Sequence, residues 1–98
     1  ATKYAIEIPY RVMKTSFESM EIMKAMAEKG MESSISDAGV GAICAMAAVR
    51  GAFLNVKINT KDFDDKKFND QILKEANKIY EQAQKTESEI VNMVENKL

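Results

Sequence analysis

Apolar residues recur every three or four positions over most of the chain, which is the spacing of one face of an α-helix. In the first third this spacing joins five apolar side chains into one stripe: Met13, Phe17, Met20, Met23 and Ala27. The stripe predicts a helix that starts or kinks at Pro9, because proline cannot donate a backbone hydrogen bond. Gly30 is its predicted C-cap, since glycine tolerates the left-handed backbone conformation found there.

Two apolar seams run through the last third of the chain, from about Asp65 to Lys97. The first contains Phe68, Ile72, Ala76, Ile79, Ala83, Ile90 and Val94, and the second contains Leu73, Tyr80, Val91 and Leu98. Two seams on one helix predict two helical neighbours. At about 1.5 Å per residue this helix would be roughly 50 Å long, which exceeds the width of a compact domain of this size.

The middle third carries two conflicting periodicities. In the stretch FLNVKINT, residues 53–60, Leu54, Val56 and Ile58 alternate with polar residues, as they would in a half-buried strand. Steps of four and three instead trace one helical face of small and polar residues: Asp37, Gly41, Ala45, Ala48, Ala52, Asn55 and Asn59. Because a helix explains both the small residues and the asparagine spacing, we predict a helix over 36–59. Ser36 is its expected N-cap, and its small face is expected to be buried against another backbone.

These helices predict an all-α fold, an elongated antiparallel helical bundle of about three helices. A chain of 98 residues can bury only a small core by itself. We therefore expect the bundle to be completed by other chains or by a missing N-terminal half.

Composition narrows the classes of partner. The 14 Lys and Arg residues balance 15 Asp and Glu residues without a basic tract, which argues against nucleic acid. The longest apolar run, residues 38–49, has about twelve residues, fewer than the ~20 that a membrane-spanning helix needs. One cysteine, Cys44, and no histidine predict no metal site and no disulfide within the chain. We expect a cytoplasmic protein with Cys44 as a core thiol.

Several short motifs together carry a family resemblance. They are the Ser36–Asp37 pair, the Gly51–Ala52 pair, NVKIN at residues 55–59, FNDQI at residues 68–72, and IPYRVMK at residues 8–14. In this combination the chain resembles the C-terminal half of the formimidoyltetrahydrofolate cyclodeaminase and methenyltetrahydrofolate cyclohydrolase family. The family's Gly/Ser-rich N-terminal segment is absent here. Residues 1–98 are therefore expected to be the C-terminal portion of a single helical domain of that type.

The resemblance implies a dimeric folate enzyme of one-carbon metabolism, with a tetrahydrofolate derivative as substrate and the pterin site near the dimer interface. Opening the methenyl bridge between N5 and N10 requires attack by water, whereas closing a formimidoyl group requires attack by N10 and loss of ammonia. Both reactions need proton transfer, and the sequence does not choose between them. The alternative, from another class of function, is a non-catalytic helical module that serves only in oligomer assembly.

Asp37 is the candidate catalytic residue. Without histidine, protons must move through a carboxylate, a lysine, a tyrosine, the cysteine or water. A carboxylate also suits a cationic methenyl substrate, and Asp37 belongs to the matched Ser-Asp pair. The competing interpretation is an acidic residue in the first helical turn, favoured there by the helix dipole.

The candidate substrate-binding residues are Ser36, Asn55, Asn59, Arg11 and Arg50. The asparagines could contact the amide-like edge of a pterin, or they could form a buried hydrogen bond between helices. The arginines could hold the glutamate tail of a folate, or they could be solvated surface charges. Ser36 enters through the matched motif alone.

Asp37 and Asn55 are separated by eighteen residues. Five helical turns give them the same direction but place them roughly 27 Å apart. If both serve one site, a second copy of this helix must run antiparallel, so that Asp37 of one chain approaches Asn55 of the other.

Overall fold

The computed structural model describes residues 2–30 and 32–98, which form three α-helices in those ranges. They are α1 (Lys3–Lys29), α2 (Glu32–Lys61) and α3 (Lys66–Lys97). The helices run up, down and up, and the bundle measures 50 × 16 × 15 Å. The predicted all-α, elongated bundle is confirmed. The alternating stretch 53–60 lies within α2, so the helical interpretation was right.

Specific side chains and one glycine mark the helix ends. Thr2 caps α1 by accepting a hydrogen bond from the Ala5 N–H at 3.2 Å. Gly30 adopts φ 69°, and its N–H donates to the Ala27 carbonyl oxygen at 3.2 Å, which confirms the predicted C-cap. Asp65 caps α3 by accepting from the Phe68 N–H at 3.0 Å. The predicted boundaries of the third helix are therefore correct.

The predicted N-cap at Ser36 is wrong. Helix α2 begins at Glu32, so Ser36 lies inside the helix and its side chain is exposed. The helix extends further because Ile35, before the expected start, is only 6% exposed and packs into the core. Burial of this side chain stabilises a helical turn that cap chemistry alone did not predict.

The core follows the predicted stripes of α1 and α3. Met13, Met20 and Ala27 of α1 are fully buried. The buried positions of α3 are Ile72, Ala76, Ala83, Ile90 and Val94. The core divides into a large central cluster and a smaller cluster at the Gly30 end, which contains Ala27, Ile35, Ala38, Ala42, Ile90 and Val94. Leu98, assigned to the second seam of α3, is 90% exposed, so that assignment was wrong.

Helix α2 carries apolar residues on every side. Val49 and Val56 are fully buried against α1 and α3. On the opposite side, Val40, Ile43, Leu54 and Ile58 are 53–63% exposed. Cys44 lies on this outward side and is exposed, so the expectation of a core thiol was wrong. We call the outward side, with residues 40, 43, 44, 47, 51, 54 and 58, the outer face of α2.

The apolar stretch of α2 is longer than the run of residues 38–49 indicated. By length and composition alone, Ser34–Lys61 could span a membrane, since its most apolar 18-residue window has a mean hydropathy of 1.5. However, 44% of its most apolar window is buried in the bundle, and a core helix of a helical bundle has the same pattern. The absence of a membrane partner therefore stays a prediction.

Candidate functional site

A groove between α1 and α2 contains the asparagines of the NVKIN motif. Its volume is about 320 Å³, and it is lined by Ile8, Pro9, Val12, Ala48, Ala52, Asn55 and Asn59. The small face of α2 thus forms one wall of an open groove. Ala52 is buried beneath it, whereas Ala48 and Asn55 are exposed. Within this chain, the predicted burial of the small face is only partial.

Arg11 lies beside this groove. A neighbouring depression is lined by Ile8, Arg11, Val12, Thr15 and Ser16, and it shares two of those residues with the groove. The structure therefore brings Arg11, Asn55 and Asn59 to the same end of the bundle. We call the groove, with Arg11 at its edge, the asparagine site.

Asn59 has a structural partner. Pro9 has no backbone N–H, so the Ala5 carbonyl four residues earlier lacks its usual helical hydrogen bond. The Asn59 side chain fills this gap by donating from Nδ2 to the Ala5 oxygen at 3.0 Å. This is a hydrogen bond between helices, as one interpretation of the asparagines proposed, but it joins Asn59 to backbone and not to Asn55. Asn55 is exposed and makes no side-chain hydrogen bond within residues 2–30 and 32–98.

Replacing Asn59 by Ala should lower the free energy of unfolding by about 1 to 3 kcal/mol, because it leaves the Ala5 carbonyl without a partner. Asn55→Ala is the matched control and should change stability by less than about 0.5 kcal/mol, since Asn55 is exposed. Urea unfolding measures both. Pro9→Ala restores an N–H to the helix, so the cost of Asn59→Ala should shrink in that background. An equal cost in both backgrounds would show that Asn59 does not serve the Ala5 carbonyl.

Ser36 and Asp37 lie far from the asparagine site. Both are exposed, and Asp37 is on the second turn of α2. By helix geometry, eighteen residues place Asp37 roughly 27 Å from Asn55. Because α2 starts at Glu32, Asp37 is not in the first turn, which weakens the helix-dipole interpretation.

Arg50 points away from the asparagine site. It lines a separate groove of about 190 Å³ between α2 and α3, together with Phe53, Leu54, Lys57, Asn77 and Tyr80. Lys57 lies over the Phe53 ring, 4.2 Å from its centroid. In this chain, the six candidate residues therefore fall in three places. Arg11, Asn55 and Asn59 meet, Ser36 and Asp37 lie at the other end of α2, and Arg50 is on the α3 side.

Asn69, inside the FNDQI motif, was missed by sequence reasoning. Its Nδ2 donates to the carbonyl oxygens of Thr60 and Phe63 at 3.0 and 2.7 Å. These bonds hold the turn between α2 and α3. An asparagine one turn after a helix start, next to an acidic turn, was the available signal for such a role.

Tyr10, in the IPYRVMK motif, also has an unpredicted partner. Its hydroxyl donates to Glu75 Oε2 at 3.2 Å, which links α1 to α3. Burial raises the pKa of the Tyr10 phenol, and the charge and hydrogen bond of Glu75 raise it further. At neutral pH Tyr10 therefore stays protonated as a hydrogen-bond donor.

Comparison with known proteins identifies the family. Residues 1–78 match the family model described as formiminotransferase-cyclodeaminase. The chain belongs to the formiminotransferase-cyclodeaminase family. The match includes the asparagine site, Asp37, and the FNDQI motif that begins α3. The resemblance inferred from the short motifs is confirmed.

Individual members of the family align with nearly the whole chain. The methenyltetrahydrofolate cyclohydrolase of Methylorubrum extorquens is 35% identical over 98 residues, which is 100% of this chain and 47% of that protein. The formimidoyltransferase-cyclodeaminase of Dictyostelium discoideum is 35% identical over 97 residues, 99% of this chain and 18% of that protein. The formimidoyltransferase-cyclodeaminase of Gallus gallus is 30% identical over 95 residues, which is 97% of this chain and 18% of that protein. The chain thus spans less than half the length of these relatives.

Proposed function

We propose that this chain is part of a folate-dependent one-carbon enzyme that opens or closes the bridge between N5 and N10 of tetrahydrofolate. The observation that carries the proposal is the asparagine site, an open groove with a small-residue wall inside a family match. Relatives named as a methenyltetrahydrofolate cyclohydrolase and as formimidoyltransferase-cyclodeaminases support both versions of the chemistry. The substrate is a tetrahydrofolate derivative.

The groove has the features that a pterin ring requires. Ala48 and Ala52 present no long side chain, so a flat ring can approach the backbone of α2. Asn55 offers both a donor and an acceptor, which matches the amide-like edge of a pterin. Arg11, beside the groove, attracts the carboxylates of the folate tail. Asn59 holds the wall in place through its bond to Ala5.

Asp37 of the other subunit of a homodimer supplies the carboxylate in this proposal, because helix geometry places Asp37 of the same chain roughly 27 Å from Asn55. Residues lining the groove include no acidic side chain. Water attack on the methenyl carbon, or N10 attack on the formimidoyl carbon, leaves a proton that a carboxylate can accept and return. Its negative charge also favours a cationic methenyl substrate.

The proposal also includes the domain organisation and the oligomeric state of the protein. In it, residues 1–98 are the C-terminal portion of one helical domain, and the alignment with only 47% of the bacterial cyclohydrolase supports a longer domain. The assembled protein is a cytoplasmic homodimer. Its subunits assemble only when the remaining part of that domain is also present. A groove open to solvent on its outer side is consistent with an incomplete site.

Methenyl- or formimidoyltetrahydrofolate should stabilise the assembled protein by about 2.7 kcal/mol when its concentration is about 100 times its Kd. A thermal-shift titration measures this. Ala48→Leu should remove the stabilisation, because Leu fills the groove at an exposed position. Ala25→Leu on the exposed surface of α1 is the matched control and should respond like the unaltered protein.

The competing function is a non-catalytic assembly module, and the outer face of α2 favours it. Val40, Ile43, Leu54 and Ile58 are more than half exposed, as in a surface that packs against another chain. That function predicts no stabilisation by any folate. An unchanged melting temperature with every folate tested, in a sample shown by light scattering to be assembled, would favour it over the enzyme.

A further inference from the structure

A second groove, on the α3 side of helix α2, contains two cationic side chains. Its volume is about 190 Å³, and it is lined by Arg50, Phe53, Leu54, Lys57, Asn77 and Tyr80. We call it the basic groove. It shares no lining residue with the asparagine site or with the depression beside that site. A ligand of the basic groove is therefore separate from the proposed folate chemistry.

The two cations flank a rigid apolar floor. Arg50 and Lys57 are seven residues apart on α2, which places them on the same side of the helix and roughly 10 Å apart along its axis. The Lys57 ammonium lies 4.2 Å from the centroid of the Phe53 ring, one turn toward Arg50. Phe53 is only 6% exposed, and its ring packs against Tyr80 with centroids 5.1 Å apart. The surface beneath the ammonium is therefore fixed by the core.

The positive charge of the basic groove is not neutralised by its own lining. The residues that line it include no Asp or Glu. The ion pairs found within residues 2–30 and 32–98 do not involve Arg50 or Lys57. Glu81 lies outside the lining and accepts a hydrogen bond from Asn77 Nδ2 at 2.7 Å. Two like charges in one groove favour an anion there, because the ligand offsets their mutual repulsion.

The neutral polar groups of the basic groove are also hydrogen-bond donors. The Tyr80 hydroxyl accepts from Gln84 Nε2 at 3.1 Å, which leaves its own proton for another acceptor. Asn77 gives one amide hydrogen to Glu81 and keeps the second. Together with the guanidinium and the ammonium, four side chains offer N–H or O–H groups to one space. A ligand with several acceptor oxygens and negative charge matches this arrangement.

We propose that the basic groove binds a phosphate group, either as free phosphate or as the end of an organic phosphate ester. The volume equals that of about six water molecules at ~30 Å³ each, which is room for a phosphate group and a bridging water. A phosphate monoester carries a charge of about −1.5 to −2 at neutral pH, so the two cations balance it. Arginine can also hold phosphate through two parallel hydrogen bonds.

A titration of the assembled protein with inorganic phosphate tests the site. Ionic strength is held constant by replacing chloride, and the melting temperature should rise to a plateau as the groove fills. Arg50→Gln should weaken the apparent affinity about 10- to 100-fold, because a charged hydrogen-bond donor is lost. Tyr80→Phe keeps the ring against Phe53 but removes the hydroxyl, and it should weaken the affinity about 10-fold.

Two control variants remove the same charge elsewhere. Lys78→Gln alters an exposed residue of α3 that does not line the basic groove. Arg11→Gln alters the cation beside the asparagine site. Both should bind phosphate like the unaltered protein. The controls also account for the general stabilisation that phosphate gives proteins by exclusion from their surface, since that effect does not saturate at one site.

Nuclear magnetic resonance locates the bound phosphate directly. The side-chain N–H signals of Arg50 and Asn77 should shift with the same saturation curve as the melting temperature, and the Arg11 signal should stay in place. Phenyl phosphate then separates the two sources of the group. Leu54 is 59% exposed in the groove, so an organic ester can bury its apolar part there and bind more tightly than phosphate. Equal affinities would identify free phosphate as the ligand.

The outcomes decide the site without any folate. Saturable binding that Arg50→Gln and Tyr80→Phe weaken, and that the two controls retain, supports the proposal. A melting temperature that rises without a plateau, or equally in Arg50→Gln and the unaltered protein, overturns it. Loss of binding in Arg11→Gln instead would place the phosphate beside the asparagine site and would also overturn it. Failure of the proposed folate function changes none of these results.

Discussion

Asp37→Asn should lower kcat for methenyl- or formimidoyltetrahydrofolate by roughly 10²- to 10⁴-fold, the usual contribution of a general acid or base. The substitution preserves shape and hydrogen bonding but removes the group that exchanges a proton. Stability should change by less than about 0.5 kcal/mol, because Asp37 is exposed and takes no part in the described ion pairs Lys3–Asp65 and Lys24–Glu89. Steady-state kinetics and urea unfolding measure the two effects.

Asp62→Asn is the matched control, since Asp62 is an exposed carboxylate in the turn after α2 and lies outside the groove. It should leave kcat and KM unchanged. If Asp37→Asn raises KM alone, the carboxylate only attracts a cationic substrate. If the substitution lowers kcat and flattens one limb of the pH–rate profile, the Asp37 carboxylate transfers a proton. Unchanged kinetics would make Asp37 an ordinary surface residue.

The sequence predicted the fold because periodicity records which side of a helix is buried. The methionine stripe of α1 and the main seam of α3 lie where the spacing placed them. Helix ends were predictable where one residue type is strongly preferred, as at Gly30 and Asp65. The start of α2 was not, because several residues there can cap a helix. Packing of Ile35 into the core decided the boundary, and that contact depends on tertiary structure.

Helix α2 shows where periodicity fails. Apolar residues occur on every side of it, so the sequence could not show which side faces α1 and α3. This ambiguity explains the error at Cys44, which was expected in the core and lies on the outer face. It also explains why the small face, expected to be buried, is partly open as one wall of the groove. An apolar residue on such a helix can face either the core of its own chain or a partner.

The sequence could predict which residue types form the candidate site, but not which of the candidate residues lie together. The sequence placed Asn55 and Asn59 on one face of a helix, and the structure keeps them together in one groove. It could not separate their roles, because the bond from Asn59 to Ala5 depends on how α1 and α2 are aligned. Proline at position 9 signalled an unpaired carbonyl, but not which side chain would reach it. Likewise, two arginines looked equivalent in sequence, yet Arg11 lies beside the groove and Arg50 lies on the α3 side.

Ile90→Ala should lower the free energy of unfolding by about 2 to 5 kcal/mol, the usual cost of truncating a large side chain in a packed core. Ile90 is fully buried in the smaller core cluster, where its neighbours include Ala27, Ala38 and Ala42. Alanine side chains are short and cannot extend into the space left behind, so the cavity should remain largely open. Urea unfolding with an unchanged m-value would measure the loss.

Leu98→Ala is the control for this truncation, since Leu98 is 90% exposed and its replacement should cost less than about 0.5 kcal/mol. The cluster also contains Ile35 and Ala38, which flank Asp37 on α2. Ile90→Ala should therefore loosen the turn that carries Asp37 more than the asparagine site, and hydrogen exchange should accelerate first at residues 35–42. A loss below about 1 kcal/mol would mean that the Gly30 end of the bundle repacks around the cavity. Equal acceleration along all of α2 would mean that the two clusters unfold as one unit, so that Asp37 and the asparagine site are held with the same rigidity.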